Sequence, residues 1–511
     1  MWSIFINSYD FSMDNYDCRD PCLSKPPLLA FCTKSLSCVL CPRIIRCKRL
    51  TGYQFNICTH VPTIGLTQKV NLNDIDDNNV NHLIKSCPLL HEVTLCPYSL
   101  HEERSDYDDD DNMIEKKKEF NIQTLLRLPF LQSVTFRLKN ITSIVLDQIS
   151  QFTRLKEFCL VRLDFDALDL SDDELGRAVS AMSLLQKLKL DLPSGNKMIG
   201  TFLNHVNPKL KSLSLSSFSN FNNKSFELLC NRFYILEELS LLRAPIDDAV
   251  FMNLGHLPYL KILELFQSNI DDGLEGISEM RFLQKLDLRM CGNITQKSII
   301  YLHNLFSLRE LHIWLNFPIN NNIIEHLQGL SQLQELYLLG NTAGPATRNT
   351  GNVGNTGSTD IGNFDMKYFS KMTSLQKLSV MGNSTNFTGF QHLKNLSNLH
   401  YFQLQHCNSI LNSGLIQIGE ITSLRTLILI TMPNINDRGL EGLESLNELR
   451  ILELFDCQNI TNCGIERLSK LPNLQSLSCG ACEKITKDVN LDNFRNLQKF
   501  RNDHGTYYRT K

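Results

Sequence analysis

The sequence has no apolar run close to the roughly 20 residues that a membrane-spanning helix needs, so no such helix is expected. It also has no surplus of charge of one sign. Its 51 Lys and Arg face 54 Asp and Glu, a formal net charge of −3. That balance lacks the basic excess with which a nucleic-acid binder meets a phosphate backbone. The short signatures of catalysis are missing as well. There is no G-x-x-x-x-G-K-[ST] loop, no G-x-S-x-G elbow, no H-E-x-x-H helix and no Rossmann glycine set, so an enzyme is not expected. The run Asp108–Asp111 lacks the spaced ligands and glycine of a calcium loop and reads as a solvated block. Met1–Ile6 is too short for the apolar core of a signal peptide, and no small-residue cleavage pattern follows it.

What the sequence does have is repetition. Leu424, Leu449 and Leu474 head three stretches that nearly coincide at a spacing of 25 residues. Each carries L-x-x-L-x-L, then a Cys or Asn, an Ile-Thr or Ile-Asn pair, and Gly-Leu/Ile-x-x-Leu. The period changes inside each unit. Leu452 and Leu454 alternate as in a short strand, whereas Ile465, Leu468 and Leu471 step by three along a helical face. Thr461 stands where an N-cap would. A strand, a turn and a short helix cannot bury their own apolar side, so the units must stack. Length alone would suggest three or four domains for 511 residues. Stacking overrides that, because a solenoid grows without enlarging a single core.

These residues resemble the leucine-rich-repeat family in its cysteine-containing form, with Cys291, Cys407, Cys457 and Cys482 in the Cys/Asn slot. The resemblance implies an α/β solenoid, a curved horseshoe with parallel strands on the concave face and helices on the convex face. It also accounts for many of the 17 cysteines as buried free thiols. That usage points to a reducing, intracellular setting, the cytoplasm first and the nucleus as the alternative.

In chain order, residues 1–25 read as a poorly ordered segment and 26–60 as a helical stretch that caps the solenoid or binds an adaptor. Residues 61–511 read as the solenoid. Sixteen strand cores run from Val70/Leu72 to Leu477/Cys479. Leu497 and Phe500 open a seventeenth, in which Asn502 replaces the second strand leucine. The tail His504–Lys511 suggests a C-terminal cap. Two units are overlong, with insertions near 101–118 and 341–360, one a charge block and the other rich in Asn, Gly and Thr. Neither can bury enough apolar surface to offset ordering entropy, so both are expected to be loops.

Outward strand positions are free of core duty, so their identities bear on binding. Candidates for a partner-binding concave face are Ile262, Glu264, Phe266, Arg289, His312, Trp314, Tyr337, Leu339, Tyr401 and Phe455. Aromatic residues and Arg are the types that dominate protein interfaces. The competing reading is that they pack on one another along the ladder.

Ahead of the repeats, Leu28, Cys32 and Leu36 fall on one helical face after Pro26–Pro27. The stretch Pro27–Leu36 resembles the elongin-C-binding box of cullin-RING substrate receptors. The resemblance implies that Leu28 fills the main elongin C pocket, with Cys32 and Leu36 beside it. Cys41–Pro42 with Ile44–Ile45 follows the accompanying cullin-selecting box only in part. No F-box, the rival motif for a Skp-type adaptor, is found. Cys18/Cys22 and Cys38/Cys41/Cys47 have zinc-like spacing, but the cysteine richness of the repeat family is the simpler account. The expectation is a non-catalytic recognition solenoid with no metal, cofactor, nucleic acid or membrane, serving as the substrate receptor of a cullin-RING ubiquitin ligase. The alternative is a structural or signalling scaffold with no ligase link.

Overall fold

The computed structural model describes residues 45–46, 68–72, 80–81, 84–85, 90–95, 122–138, 141–162, 171–192, 201–218, 220–270, 273–291, 294–315, 317–340, 363–382 and 386–508. The chain divides into two compact units, residues 1–45 and 46–511, and the repeats lie in the second. Leu28, Cys32 and Leu36, the cysteines before residue 50 and both insertions lie outside the described residues.

Seventeen parallel strands, from Gln68–Leu72 to Lys499–Asn502, pair in sequence order. The register follows the repeat. Leu263 meets Leu286, Leu286 meets Leu311, Leu311 meets Leu336, and Leu336 meets Leu378 across the longer of the two later spacings. The ladder continues through Phe402, Leu427, Leu452 and Leu477 to Phe500. All these side chains are buried, so these ten strands share one continuous apolar spine. This is a leucine-rich-repeat α/β solenoid.

Eight strands hand the chain to the convex side through a sharp left-handed turn. Ser217, Arg243, Gln267, Met290, His406, Thr431, Asp456 and Ala481 follow their strands with φ between 51° and 66°. Side chains rarely adopt that left-handed region. Here it keeps the sheet ladder going, because Thr431 N–H donates to Phe455 O and Asp456 N–H to Gly480 O. One residue after Met290, His406, Asp456 and Ala481, the slot cysteines hold the turn from inside. The Cys291 thiol donates to Leu265 O at 2.6 Å, and the Cys482 thiol reaches Leu454 O at 3.6 Å, in each case in the preceding unit. Burial pushes Cys291 and Cys407 up to about 12. These two thiols therefore stay protonated and can donate.

The convex segments are short, and many are tighter than an α-helix. Asp248–His256, Gly273–Glu279 and Ser298–Asn304 are 3₁₀ turns, whereas Asn223–Arg232 is a full α-helix of 10 residues. Units of 23 to 25 residues leave little chain for the outer arc, which favours the longer rise of 3₁₀ geometry. Thr461 caps its helix as expected, accepting from Cys463 N. At the C-terminal end, Gly505–Tyr508 turns back antiparallel on Lys499–Asn502 and covers the last parallel strand. Asn502, in the leucine slot, is buried, and its side chain accepts from His504 N–H at 3.0 Å.

Candidate functional site

Leucines at the second and fourth strand positions point into the core, so the first, third and fifth residues share the concave face. Parallel register sets these residues in rows. One row reads Ile262, Lys285, Glu310, Glu335, Lys377, Tyr401. The next reads Glu264, Asp287, His312, Tyr337, Ser379, Gln403. The third runs from Trp314 through Leu339, Met381, Gln405 and Ile430 to Phe455.

The centre of this face is a dense ionic cluster. Lys285 Nζ lies 2.9 Å from Glu264 and 3.5 Å from Glu310, and Lys377 Nζ lies 2.8 Å from Glu335. Asp287 is the most enclosed member, its side chain 4% exposed. Arg289 holds it with three side-chain contacts of 2.7–3.0 Å and donates its own backbone N–H at 3.1 Å. Nδ1 of His312 lies 3.4 Å from the same carboxylate. Burial opposes ionisation of Asp287, but His312 and Arg289 outweigh it and hold the carboxyl at about 2. Burial likewise works against charge on Lys285, and Glu264 and Glu310 overcome it to raise the amine.

Aromatic groups frame the ions. The Arg289 guanidinium sits 5.8 Å from the Phe266 ring centre, within cation–π reach. His312 meets Tyr337 edge to face, with centroids 4.3 Å apart. Burial first, then the carboxylates Glu335 and Glu310, push the Tyr337 hydroxyl up to about 12. It therefore remains a hydrogen-bond donor throughout the physiological range.

Of the expected contact residues, Ile262, Glu264, Phe266, Arg289, His312, Trp314, Tyr337 and Leu339 stand on four adjacent strands and form one patch. Tyr401 lies two strands further on, with its hydroxyl committed to Gln403 Oε1 at 2.7 Å. Phe455 is two strands beyond that, 46% exposed, and its ring lies against Gly480, where an added Cβ would come within 2.9 Å of it. Leu339 is 4% exposed, shielded in its row beside Met381. Asp287 reads from the sequence as an outward strand position but is not among the expected binding residues. Its signal was there, an acidic residue two positions before Arg289 at an outward strand position.

Glu310, His312 and Glu335 are, among the described residues, the group that could share a metal ion, with ligand atoms within 4.8 Å of one another. Both carboxylates already have a lysine partner that neutralises them. Among the described residues no helix is long and apolar enough to cross a membrane.

No protein-family model matches the chain, and no curated protein does. Solved structures are similar to it at low identity. An internalin of Listeria monocytogenes is 17% identical over 71% of this chain and 89% of its own, with a TM-score of 0.40. A leucine-rich-repeat protein of Leptospira interrogans is 17% identical over 72% of this chain and 88% of its own, with a TM-score of 0.42. The yeast complex of Rad7 and Elc1 matches at 17% identity over 64% of this chain and 83% of that chain, with a TM-score of 0.40.

Proposed function

We propose that the chain is a non-catalytic recognition protein whose concave sheet holds a protein target. Its residues 26–41 dock an adaptor, elongin C or a Skp-type protein, and so link the target to a cullin-RING ubiquitin ligase. The observation that carries the recognition reading is the patch around Asp287. Phe266, Arg289, His312, Trp314 and Tyr337 come together on the face that core packing leaves free. Aromatic anchors with a rigidly held Arg are the side chains on which protein interfaces concentrate their energy. The Asp287 clamp fixes Arg289 before any partner arrives, which lowers the entropy cost of binding. The ligase half of the proposal rests on Leu28, Cys32 and Leu36 alone.

The test uses the full chain and purified elongin C. If Leu28 fills a pocket, Leu28→Ala removes about 2–4 kcal/mol and weakens binding at least about thirtyfold, with melting unchanged. A capping helix gives the reverse, a lowered melt and no elongin C binding in either protein. The concave half is read separately by quantitative affinity capture from cells under proteasome inhibition. Arg289→Ala and Trp314→Ala should lose the target while retaining elongin C. Retention of every captured protein by both variants would refute the concave site.

A further inference from the structure

A second feature lies at the turns that lead into the strands, away from the concave patch. Each turn closes with the same backbone hydrogen bond: Leu236 N–H to Phe233 O, Leu260 to Leu257, Leu283 to Met280 and Leu308 to Leu305. The two residues inside each turn therefore occupy equivalent positions from unit to unit. In four consecutive units one of them is a bare ring. Tyr234 and Tyr259 are each 58% exposed, Phe282 is 66% and Phe306 is 57%. A lone exposed ring needs no explanation, but four adjacent turns each carry one, Tyr234 and Phe306 at the first inner position and Tyr259 and Phe282 at the second, and together they form a stripe.

In later units the second inner position carries a small polar side chain. Ser374 Oγ donates to Ser331 O at 2.7 Å, Asn398 Nδ2 to Thr373 O at 3.1 Å, and Asn473 Nδ2 to Asn447 O at 2.8 Å. Small polar side chains stitch one turn to the next there. Tyr259 and Phe282 take that second position and leave rings in water, and Tyr234 and Phe306 stand exposed one residue earlier in their turns.

The charge around the stripe is mainly positive. Lys209 occupies the slot in the preceding unit, and Arg281 stands beside Phe282. Lys211, Lys261 and Arg309 come directly after the leucines that close their turns, and all five cations are exposed. Of the acidic residues nearby, Glu279 is exposed just before the turn of Phe282, and Glu237 is already held between Lys211 at 3.2 Å and Lys261 at 2.6 Å. These two pairings hold its carboxyl below the usual range.

We propose that this rim is a second docking surface, for an extended acidic polypeptide segment that carries apolar side chains. The rings would take the apolar groups, and Lys209, Arg281 and Arg309 the carboxylates. Exposed Met252, on the convex turn of the unit that leads to Tyr259, is an apolar side chain with no flat face for a nucleobase. The chain as a whole is also acidic by three charges. Both features favour a polypeptide over single-stranded nucleic acid, for which stacking platforms are the rule. The surface is independent of the concave patch.

The experiment titrates the full chain into a fluorescent peptide of Asp and Glu interrupted by Phe, Leu and Tyr. A peptide with Lys at the acidic positions and a fluorescent oligouridine are titrated alongside. The acidic peptide is expected to bind, more weakly as salt rises, and Tyr259→Ser with Phe282→Ser to weaken it at least about tenfold. Those side chains are mostly exposed, so melting should not move. Arg289→Ala, on the concave face, should leave the affinity unchanged, so this surface and the concave site fail separately. No binding of the acidic peptide, equal binding by the double variant, or tighter binding of oligouridine would each overturn the proposal.

Discussion

Replacing Asp287 with Asn removes a charge and little else, since the two side chains have nearly the same shape. The carboxyl it replaces is drawn from 3.8 to about 2 by the folded structure. That difference corresponds to about 2 kcal/mol favouring the ionised form in the folded state. Geometry leads to a similar figure. Stripping one partner from a fully buried ion pair costs about 3–5 kcal/mol. The Arg289 side chain is 32% exposed and can turn partly to water, which places the cost near or below the lower end of that range. The sign of the pH effect follows from the depressed value. The contribution is complete above about pH 4, where the unfolded carboxyl is ionised. It is lost as pH falls from there through about 2, where the folded one takes up its proton. Asp287→Asn should therefore be about 2 kcal/mol less stable than the parent from pH 7 to pH 5, with the gap narrowing below pH 4. Denaturant unfolding across that range measures it. Hydrogen exchange should place the loss in strands Ile262–Phe266, Lys285–Leu288 and Glu310–Trp314. A gap below about 0.5 kcal/mol at pH 7, or one that stays constant down to pH 3, would show that the clamp does not stabilise the fold.

Other outcomes follow from the stack. Leu452 is fully buried, so Leu452→Asp should cost several kcal/mol and loosen Thr426–Ile430 and Ser476–Gly480 on either side, read by thermal melting and limited proteolysis. Gly480→Ala should displace the Phe455 ring from its seat while changing stability by less than about 1 kcal/mol, since that ring is free to turn; a crystal structure and a melt check both parts. Deleting residues 343–358 should leave the melt unchanged, because Glu335–Leu339 pairs directly with Lys377–Met381 across the insertion. Failure of that deletion to fold would make the insertion a structural part of the solenoid.

The solenoid was legible in the sequence because its cause is local and repeated. A period near 25 residues places leucines in one register, and alternation within L-x-x-L-x-L assigns each to the core. The cysteine slot, the Thr461 cap and the polar seventeenth strand follow from the same alignment. The adaptor box, which lies outside the described residues, remains a reading of sequence. The concave site was legible only as a set of positions. Alternation says that Asp287, Arg289, His312 and Leu339 face away from the core, but not what lies beside them. Residues 23 to 42 apart in the chain become lateral neighbours at about the 4.8 Å strand spacing. That proximity joins Arg289 to Phe266 and shields Leu339 from water. It also aligns four rings from four turns into a stripe. Which side chains face outward was decided by the sequence, one unit at a time. Which of them meet, and with what charge and exposure, was decided only when the units stacked, because those properties belong to pairs of units and no single unit contains them.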